Sequence, residues 1–344
     1  MTVLGIETSC DETSAAIVDD GKVLANVISS QLIHRKYGGV VPELASRAHQ
    51  RLIVDVVGEA LYKANCTLAD VHGIAATCGP GLVGALLVGL NFAKGLAFAL
   101  ERPFIGVNHL EGHLYSNFLD EPTPGYPFLS LIVSGGHTLL VCVLDPLEHR
   151  VVGQTRDDAA GEAFDKVAKM LGLPYPGGPS IERMAARGNP KAIAFPRTLL
   201  GDESLDFSFS GVKTAVLYHL RDQGVAPHGE VRTEWQEDRI ADVCASFQEA
   251  VVDVLAKKVE RAADVIGIRT VTLAGGVSAN TPLRERLAAV AALRGWDFYS
   301  PRMEYCMDNG AMIAYAGWLR LQRGLSSSFD LPATAHLSIA RTAI

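Results

Sequence analysis

The sequence predicts an α/β protein of two duplicated lobes, and its length, its composition and an internal echo carry that expectation. The 344 residues correspond to two domains at about 150 residues each. Hydrophobic residues make up 48% and charged residues 20%, which matches a folded chain with sizeable cores and excludes long disorder. The echo lies in the layout. Residues 3–9 are apolar, run into small hydroxylated residues and precede a second apolar run at 13–19; residues 128–137 followed by 138–145 repeat the plan, and each pair predicts a strand hairpin. Residues 74–81 then lead into a helix at Leu82, as residues 271–278 lead into one near Asn280. The alternation of strands and glycine turns in any α/β protein also produces such an echo. Duplication is the sharper reading, and two lobes with Gly- and Ser-rich turns would enclose a nucleotide in an interlobe cleft, because such turns present backbone N–H groups to anionic oxygens. The lobes are expected at 1–108 and 109–310, joined near Val107-Asn108, with a surface loop over 120–127. A last apolar helix, about 311–321 within a returning segment of 311–330, is expected to pack back on the first lobe.

The net charge of −7 means that a polyanion would be met only by a local patch. Residues 31–51 supply one: Arg35, Lys36, Arg47 and Arg51 stand against Glu43 alone, with His34 and His49 besides and Tyr37 available to stack on a base. A solvated face or a protein interface would look the same. Six scattered cysteines without a Cys-x-x-Cys pair argue against a disulfide framework and a thiolate zinc site, and point to the reducing cytoplasm. The first residues lack the basic stretch and apolar core of a secretory signal. Residues 82–100 have nearly the length of a membrane span, but Asn91 and Lys94 sit mid-stretch and glycines recur, so a buried helix and no membrane partner are expected.

Asn108-His109-Leu110-Glu111-Gly112-His113 places two imidazoles four residues apart, on one face of a helix and within reach of one cation. Spacing alone also fits a surface or packing pair. Asp308, before Asn309-Gly310 and a helix start, is the candidate oxygen ligand, and a His, His, carboxylate set suits iron or zinc. A metalloprotease would need its acid one step after the first His; Glu111 comes two steps on, about 200° around a helix, and would face away. A zinc nucleobase deaminase would need a P-C-x-x-C companion, which is missing.

Residues 132–138 form a strand ending in Ser134-Gly135-Gly136-His137, suited to holding a phosphate or acyl group against backbone donors, or simply a hairpin turn with His137 beside it. Residues 274–280 share that ambiguity, and Asn280 can meet a base or ribose edge or merely cap a helix. Gly79-Pro80-Gly81 is no phosphate loop, since no Gly-Lys-Ser/Thr follows. The acids of residues 157–166 read as a solvated helix face, with Asp158 and Asp165 two turns apart, or as a ligand site in which Asp165 takes hydroxyls beside the 175–179 turn. Residues 206–214 fit an edge strand or a substrate-facing loop.

Together these motifs resemble one family, the tRNA N6-adenosine threonylcarbamoyltransferases, formerly called O-sialoglycoprotein endopeptidases. The resemblance is nearly full length and rests on residues 5–13, 37–47, 109–113, 133–138, 161–166, 175–178, 206–213, 275–280 and 308–310. It implies the actin-like and sugar-kinase-like ATPase fold. By position it implies His109, His113 and Asp308 as ligands of one divalent metal, Fe2+ or Zn2+. It implies Ile132, Val133, Ser134, Gly135, Gly136, Asp165, Gly178 and Asn280 as substrate-contacting positions, with Glu182 where many relatives carry an acid. The implied reaction moves a threonylcarbamoyl group from threonylcarbamoyl-AMP to N6 of adenosine 37 in tRNAs reading ANN codons, with AMP leaving. Glu12 and His137 are the candidate catalytic bases. The implied partners are tRNA, a smaller sister subunit of the same fold and a P-loop ATPase subunit. A metal-dependent peptidase and a nucleotide-binding scaffold are the rival readings.

Overall fold

A computed structural model describes residues 1–199, 201, 204–224 and 237–339, with the side chain of Arg35 outside the described set. The chain divides into two compact units. The first is Met1–Thr123 with Asp145–Glu148 and the chain from Pro301 onward; the second is Pro124–Leu144 with His149–Ser300.

The first unit opens with strands β1 (Thr2–Glu7), β2 (Glu12–Asp19) and β3 (Lys22–Ser30). Helix α1 (Pro42–Lys63), β4 (Gly73–Gly79), α2 (Val83–Leu100), β5 (Phe104–Asn108) and α3 (His109–Tyr115) follow. The sheet order is β3-β2-β1-β4-β5. β1 runs antiparallel to β2, with Leu4 opposite Ile17, and parallel to β4, with Leu4 opposite Ile74. β1 and β4 are buried along their whole length, which is why they read as continuous apolar runs rather than alternating ones. α1 starts on Pro42, whose missing N–H costs nothing at a first helical position, and buries Ala45, His49, Ile53, Val56, Val57 and Ala60 along one face.

The second unit repeats the plan with β6 (Phe128–Val133), β7 (Thr138–Asp145) and β8 (Glu148–Gln154), then α4 (Ala160–Met170), α5 (Gly177–Ala185), α6 (Ser210–Asp222) and α7 (Glu237–Ile266). It closes with β9 (Thr270–Ala274), α8 (Thr281–Arg294) and β10 (Asp297–Tyr299). Its order, read from β8, is β8-β7-β6-β9-β10, the same sequence of first-hairpin, central and crossover strands as in the first sheet. β6 is antiparallel to β7 and parallel to β9, as β1 is to β2 and β4. The echo in the sequence is therefore a duplicated sheet. The core of this unit gathers Leu129, Leu131, Phe164, Phe207, Phe209 and Phe247 around the Ala- and Val-rich α7.

The chain then returns to the first unit as α9 (Met303–Cys306) and α10 (Gly310–Leu321). α10 lies against β1, β2 and β4. Gly5 makes this approach possible, since a Cβ there would sit 2.4 Å from the Ala314 nitrogen, and one on Gly310 would sit 2.7 Å from the Ala15 carbonyl carbon. Asn309 caps α10 by accepting from Met312 N, and Gly310 N donates to Ser14 Oγ.

Two expectations change. Residues 109–123 and 301–310 belong to the first compact unit rather than the second, because α3 continues from β5 and is held by α10; the unit boundary falls at Thr123/Pro124 and not at residue 108. α2 is long and apolar enough to cross a membrane, but it is not buried all round. Ala85, Leu86, Gly89, Leu90, Ala93 and Ala97 face inward, while Val83, Leu87 and Phe98 are exposed on an outer face that is also apolar.

Candidate functional site

β5 ends at Asn108 and α3 begins at once with His109. Asn108 turns the chain: its side-chain oxygen accepts from Leu110 N at 2.9 Å and satisfies one of the open donors of the first helical turn. One turn of α3 later, His113 lies on the same face, and the two rings meet edge to face with centroids 4.7 Å apart. Asp308, just before α10, completes the group. Its Oδ1 lies 3.0 Å from His113 Nε2 and 3.4 Å from His109 Nε2, and the three ligand atoms all fall within 4.8 Å of one another. Ligands about 2.1 Å from a tetrahedral cation stand roughly 3.4 Å apart, so the trio matches a metal after small side-chain adjustment.

The surroundings favour positive charge at this point. Glu7, fully buried at the end of β1, sets its Oε2 3.0 Å from His109 Nδ1, which leaves Nε2 to face the other two ligands. Glu7 is itself held by Thr77 Oγ1 at 2.6 Å and by Ser9 N at 2.5 Å, and Ser9 Oγ lies 3.2 Å from His109 Nδ1. Burial opposes charge on His109, yet the Asp308 and Glu7 carboxylates hold it protonated well above the usual imidazole range. Burial likewise opposes ionisation of Asp308, and the two imidazoles overcome it and hold the carboxyl well below its usual range. Glu12, at the start of β2, has no such cation. Burial, with Asp308 and Asp11 nearby, pushes its carboxyl up to about 9. A site that binds a proton so firmly between carboxylates fits a divalent cation on the chemistry of its donors. Among the described residues the buried Nδ1 of His113 has no hydrogen-bond partner, so His109 is the better-oriented of the two imidazoles.

Glu111 takes no part. It is fully buried and gives both oxygens to Arg320 Nη2 at 2.6 and 2.9 Å, on the opposite side of α3 from the trio's imidazoles. The one carboxylate between the two imidazoles is thus held in an ion pair away from them.

In the second unit the candidate residues gather on three turns. Ile132 and Val133 are buried in β6, so only their backbone can meet a ligand. Ser134-Gly135-Gly136-His137 forms the β6–β7 hairpin turn, closed by Ser134 N donating to His137 O at 2.8 Å and His137 N donating to Ser134 Oγ at 3.1 Å. Gly135 and Gly136 have open space where a Cβ would be and no positive φ, so neither packing nor backbone geometry explains them. Gly161, by contrast, lets α4 approach this turn, since its Cβ would stand 2.5 Å from Ser134 O. Asp165 accepts from Gly177 N at 2.7 Å at the head of α5, and burial raises its carboxyl above the usual range. Gly178 follows in the first turn of α5 with open space at its Cβ position. Asn280 caps α8 by accepting from Leu283 N, while its amide nitrogen donates to Gln248 Oε1 at 2.9 Å and Glu182 Oε2 at 3.2 Å; Glu182 Oε1 also accepts from Thr281 N.

Some alternatives left by the sequence close here. Asp158 precedes α4 rather than sharing a helical face with Asp165, and it pairs with Lys166 and Lys213. Residues 206–214 are no edge strand: Phe207 makes one isolated bridge to Thr155 and Ser210 opens α6. The residues that sequence reasoning passed over are Glu7, Thr77 and Arg320. Glu7 carried a signal, as the one acid in an otherwise apolar strand, but its partners lie 70 and 102 residues away.

Solved structures share the fold across nearly the whole chain. HypF in its phosphate- and nucleotide-bound form superposes with a TM-score of 0.61 at 13% identity, covering 94% of this chain and 46% of HypF. Component A of (R)-2-hydroxyglutaryl-CoA dehydratase from Acidaminococcus fermentans gives 0.51 at 16% identity, covering 92% and 98%. The architecture is the actin-like ATPase fold with duplicated sheets. A protein of Salinibacter ruber named tRNA N6-adenosine threonylcarbamoyltransferase is 56% identical over 95% of this chain and 96% of its own. One of the same name from Kosmotoga olearia is 52% identical over 98% and 99%. A sequence model described as tRNA N6-adenosine threonylcarbamoyltransferase matches residues 22–315. The chain belongs to the tRNA N6-adenosine threonylcarbamoyltransferase family.

Proposed function

We propose that the protein transfers the threonylcarbamoyl group of threonylcarbamoyl-AMP to N6 of adenosine 37 in tRNAs that read ANN codons and releases AMP. Family membership supports the reading, and the structural observation that carries it is the convergence of His109, His113 and Asp308 with Glu7 behind His109. One divalent metal per chain, Fe2+ or Zn2+, is held by these three residues. When bound it supplies Lewis-acid polarisation of an acyl oxygen.

The chain's own residues position, orient and move protons. Glu7 fixes the tautomer and direction of His109, and the buried walls around the trio keep its electrostatics strong. In the transfer, a bond forms between N6 and the carbamoyl carbon, the bond from that carbon to the AMP phosphate oxygen breaks, and the phosphate leaves as an anion. The N6 proton passes to a base. An exocyclic adenine amine is a weak nucleophile, so orientation and charge stabilisation supply most of the acceleration. Glu12, beside Asp308, and His137, on the Ser134–His137 turn, are the candidates for that base.

The substrate-contacting positions lie on the turns of the second unit. The backbone of Ile132 and Val133, Ser134, and the open glycines Gly135, Gly136 and Gly178 offer N–H donors to anionic or acyl oxygens, and Asp165 accepts from hydroxyls. Asn280 and Glu182 hold the head of α8 and meet the ligand from there. By family membership, the partners are tRNA, a smaller sister subunit of the same fold and a P-loop ATPase subunit. The reaction is placed in the cytoplasm, without a membrane. The test is to mix the metal-loaded chain, its partner proteins, threonylcarbamoyl-AMP and unmodified tRNA and to identify the nucleosides by mass spectrometry. Threonylcarbamoyl-adenosine should appear, and should vanish with Asp308→Ala; its absence with the unsubstituted chain overturns the proposal.

A further inference from the structure

After α10 the chain does not leave the first unit but runs back over it as a strap, residues 325–339. The strap is stitched to the sheet and to α2 at successive points. Ser327 N donates to Phe104 O at 2.7 Å, Gly106 N to Ser327 Oγ at 3.1 Å, Lys94 Nζ to Leu331 O at 2.6 Å and Thr334 N to Cys78 O at 2.8 Å. Phe329 stacks on Phe104 with centroids 6.2 Å apart, and Leu331, Ala333 and Leu337 pack on the apolar core of the unit. The fit leaves no slack. A Cβ on Gly79 would stand 2.1 Å from Thr334 O, and one on Gly106 would stand 2.2 Å from Leu331 Cδ2.

The last part of the strap reaches the frame of the metal trio by two routes. Asn108 is 2% exposed, and both ends of its amide are engaged: Oδ1 caps α3 at Leu110 N, and Nδ2 donates to Ser338 O at 3.2 Å. The residue that aims the helix carrying His109 and His113 is therefore tied to the strap by its other atom. Separately, Ala335 O accepts from Gly81 N at 3.2 Å, and the neighbouring Leu82 N donates to Ser9 O at 2.8 Å. Ser9 in turn contacts Glu7 Oε1 through its N–H and His109 Nδ1 through its hydroxyl. A cap needs only the oxygen of Asn108; Ser, Thr or Asp would serve it as well. The amide nitrogen, and a strap that presses on glycines, have no such local explanation.

We propose that Asn108 is a positioning residue through which the 325–339 strap fixes α3, so that the strap sets how tightly His109, His113 and Asp308 hold their cation. This rests on the metal reading above. Outer partners that orient a ligand commonly change metal affinity by about tenfold to a hundredfold when removed. Asn108→Ser keeps a good cap and loses the donor to Ser338 O. Leu337→Ala loosens the strap beside Ser338 without touching Asn108 or any ligand.

The experiment measures Zn2+ affinity by chelator competition in the full chain, together with the visible spectrum of the Co2+-loaded form and the melting temperature of the metal-free form. The unsubstituted chain should bind one Zn2+. Asn108→Ser should weaken binding about tenfold and shift the Co2+ spectrum, Leu337→Ala should weaken it less, and the double variant should lose less than the two single losses combined, since both act on the Asn108 tie and only Leu337→Ala also loosens the Ala335–Gly81 one. A melting temperature lowered in either single variant with affinity and spectrum unchanged would show a merely structural strap and overturn the inference while leaving the metal reading intact. Additive losses in the double variant would also overturn it. No Zn2+ binding by the unsubstituted chain would overturn both.

Discussion

At the scale of single residues, the chemistry of α3 is decided by which way each side chain leaves a seven-residue helix. His109 and His113 share a face, and Glu111, two steps from the first, meets Arg320 instead. Both partners of that ion pair are at least nine-tenths buried, so each is stable only with the other present. Arg320→Met leaves a carboxylate buried without a cation and is expected to cost about 3–5 kcal/mol in urea unfolding. Glu111→Gln with Arg320→Met, which removes both charges, should recover most of that loss. Cation binding in the double variant should match the unsubstituted chain, since neither residue touches the trio. A double variant that folds as stably but loses the cation would show that Glu111 belongs to the metal centre after all.

Among the elements, several helices begin on side chains borrowed from far along the sequence, which is how the turns of the second unit keep their shape. α6 is the clearest case. Its opening N–H groups at Phe209 and Ser210 donate to Asp157, which also accepts from the hydroxyls of Ser208 and Ser210. Asp157→Ala should destabilise the second unit by about 1 kcal/mol, as the loss of a helix cap does elsewhere. Burial raises the Asp157 carboxyl, but these four hydrogen bonds outweigh it and hold the group below its ordinary value. A folded pKa below the unfolded one means that the contribution is complete above the ordinary carboxylate range, about 3.9, and is lost as pH falls through the lowered value. Chemical unfolding at pH 7 and pH 3 should show a smaller acid loss in Asp157→Ala than in the parent. An equal loss would remove Asp157 from the account.

Over the whole molecule, the two units share one strand plan but close their cores differently. The first needs α10, delivered from the far end of the chain through the Gly5 and Gly310 contact. Gly5→Val should therefore cost about 3 kcal/mol, in the range of severe overpacking. Hydrogen exchange should rise across β1, β2 and α10 while the amides of α7 keep their protection; uniform loss across both units would contradict separate cores. The same long-range closure explains what the sequence could disclose. The paired hairpins and the two strand, glycine turn and helix units were legible because each is local and apolar in a regular pattern, and the His109–His113 pair was legible because four residues is one helical turn. Asp308 was found as a motif rather than as a neighbour. The Glu7 anchor, the Arg320 partner of Glu111, the capture of residues 109–123 by the first unit and the strap on Asn108 depend on contacts 70 to 230 residues apart, which no local pattern encodes.

The proposed cation is held by two imidazoles from α3 and one carboxylate from the head of α10. Equilibrium dialysis of the metal-stripped full chain against Zn2+, repeated with Asp308→Ala and with His109→Ala, detects it. One tightly bound Zn2+ per chain is expected, lost in both variants while their circular dichroism stays that of the parent. A bound equivalent that survives in either variant, or none in the parent, would contradict it.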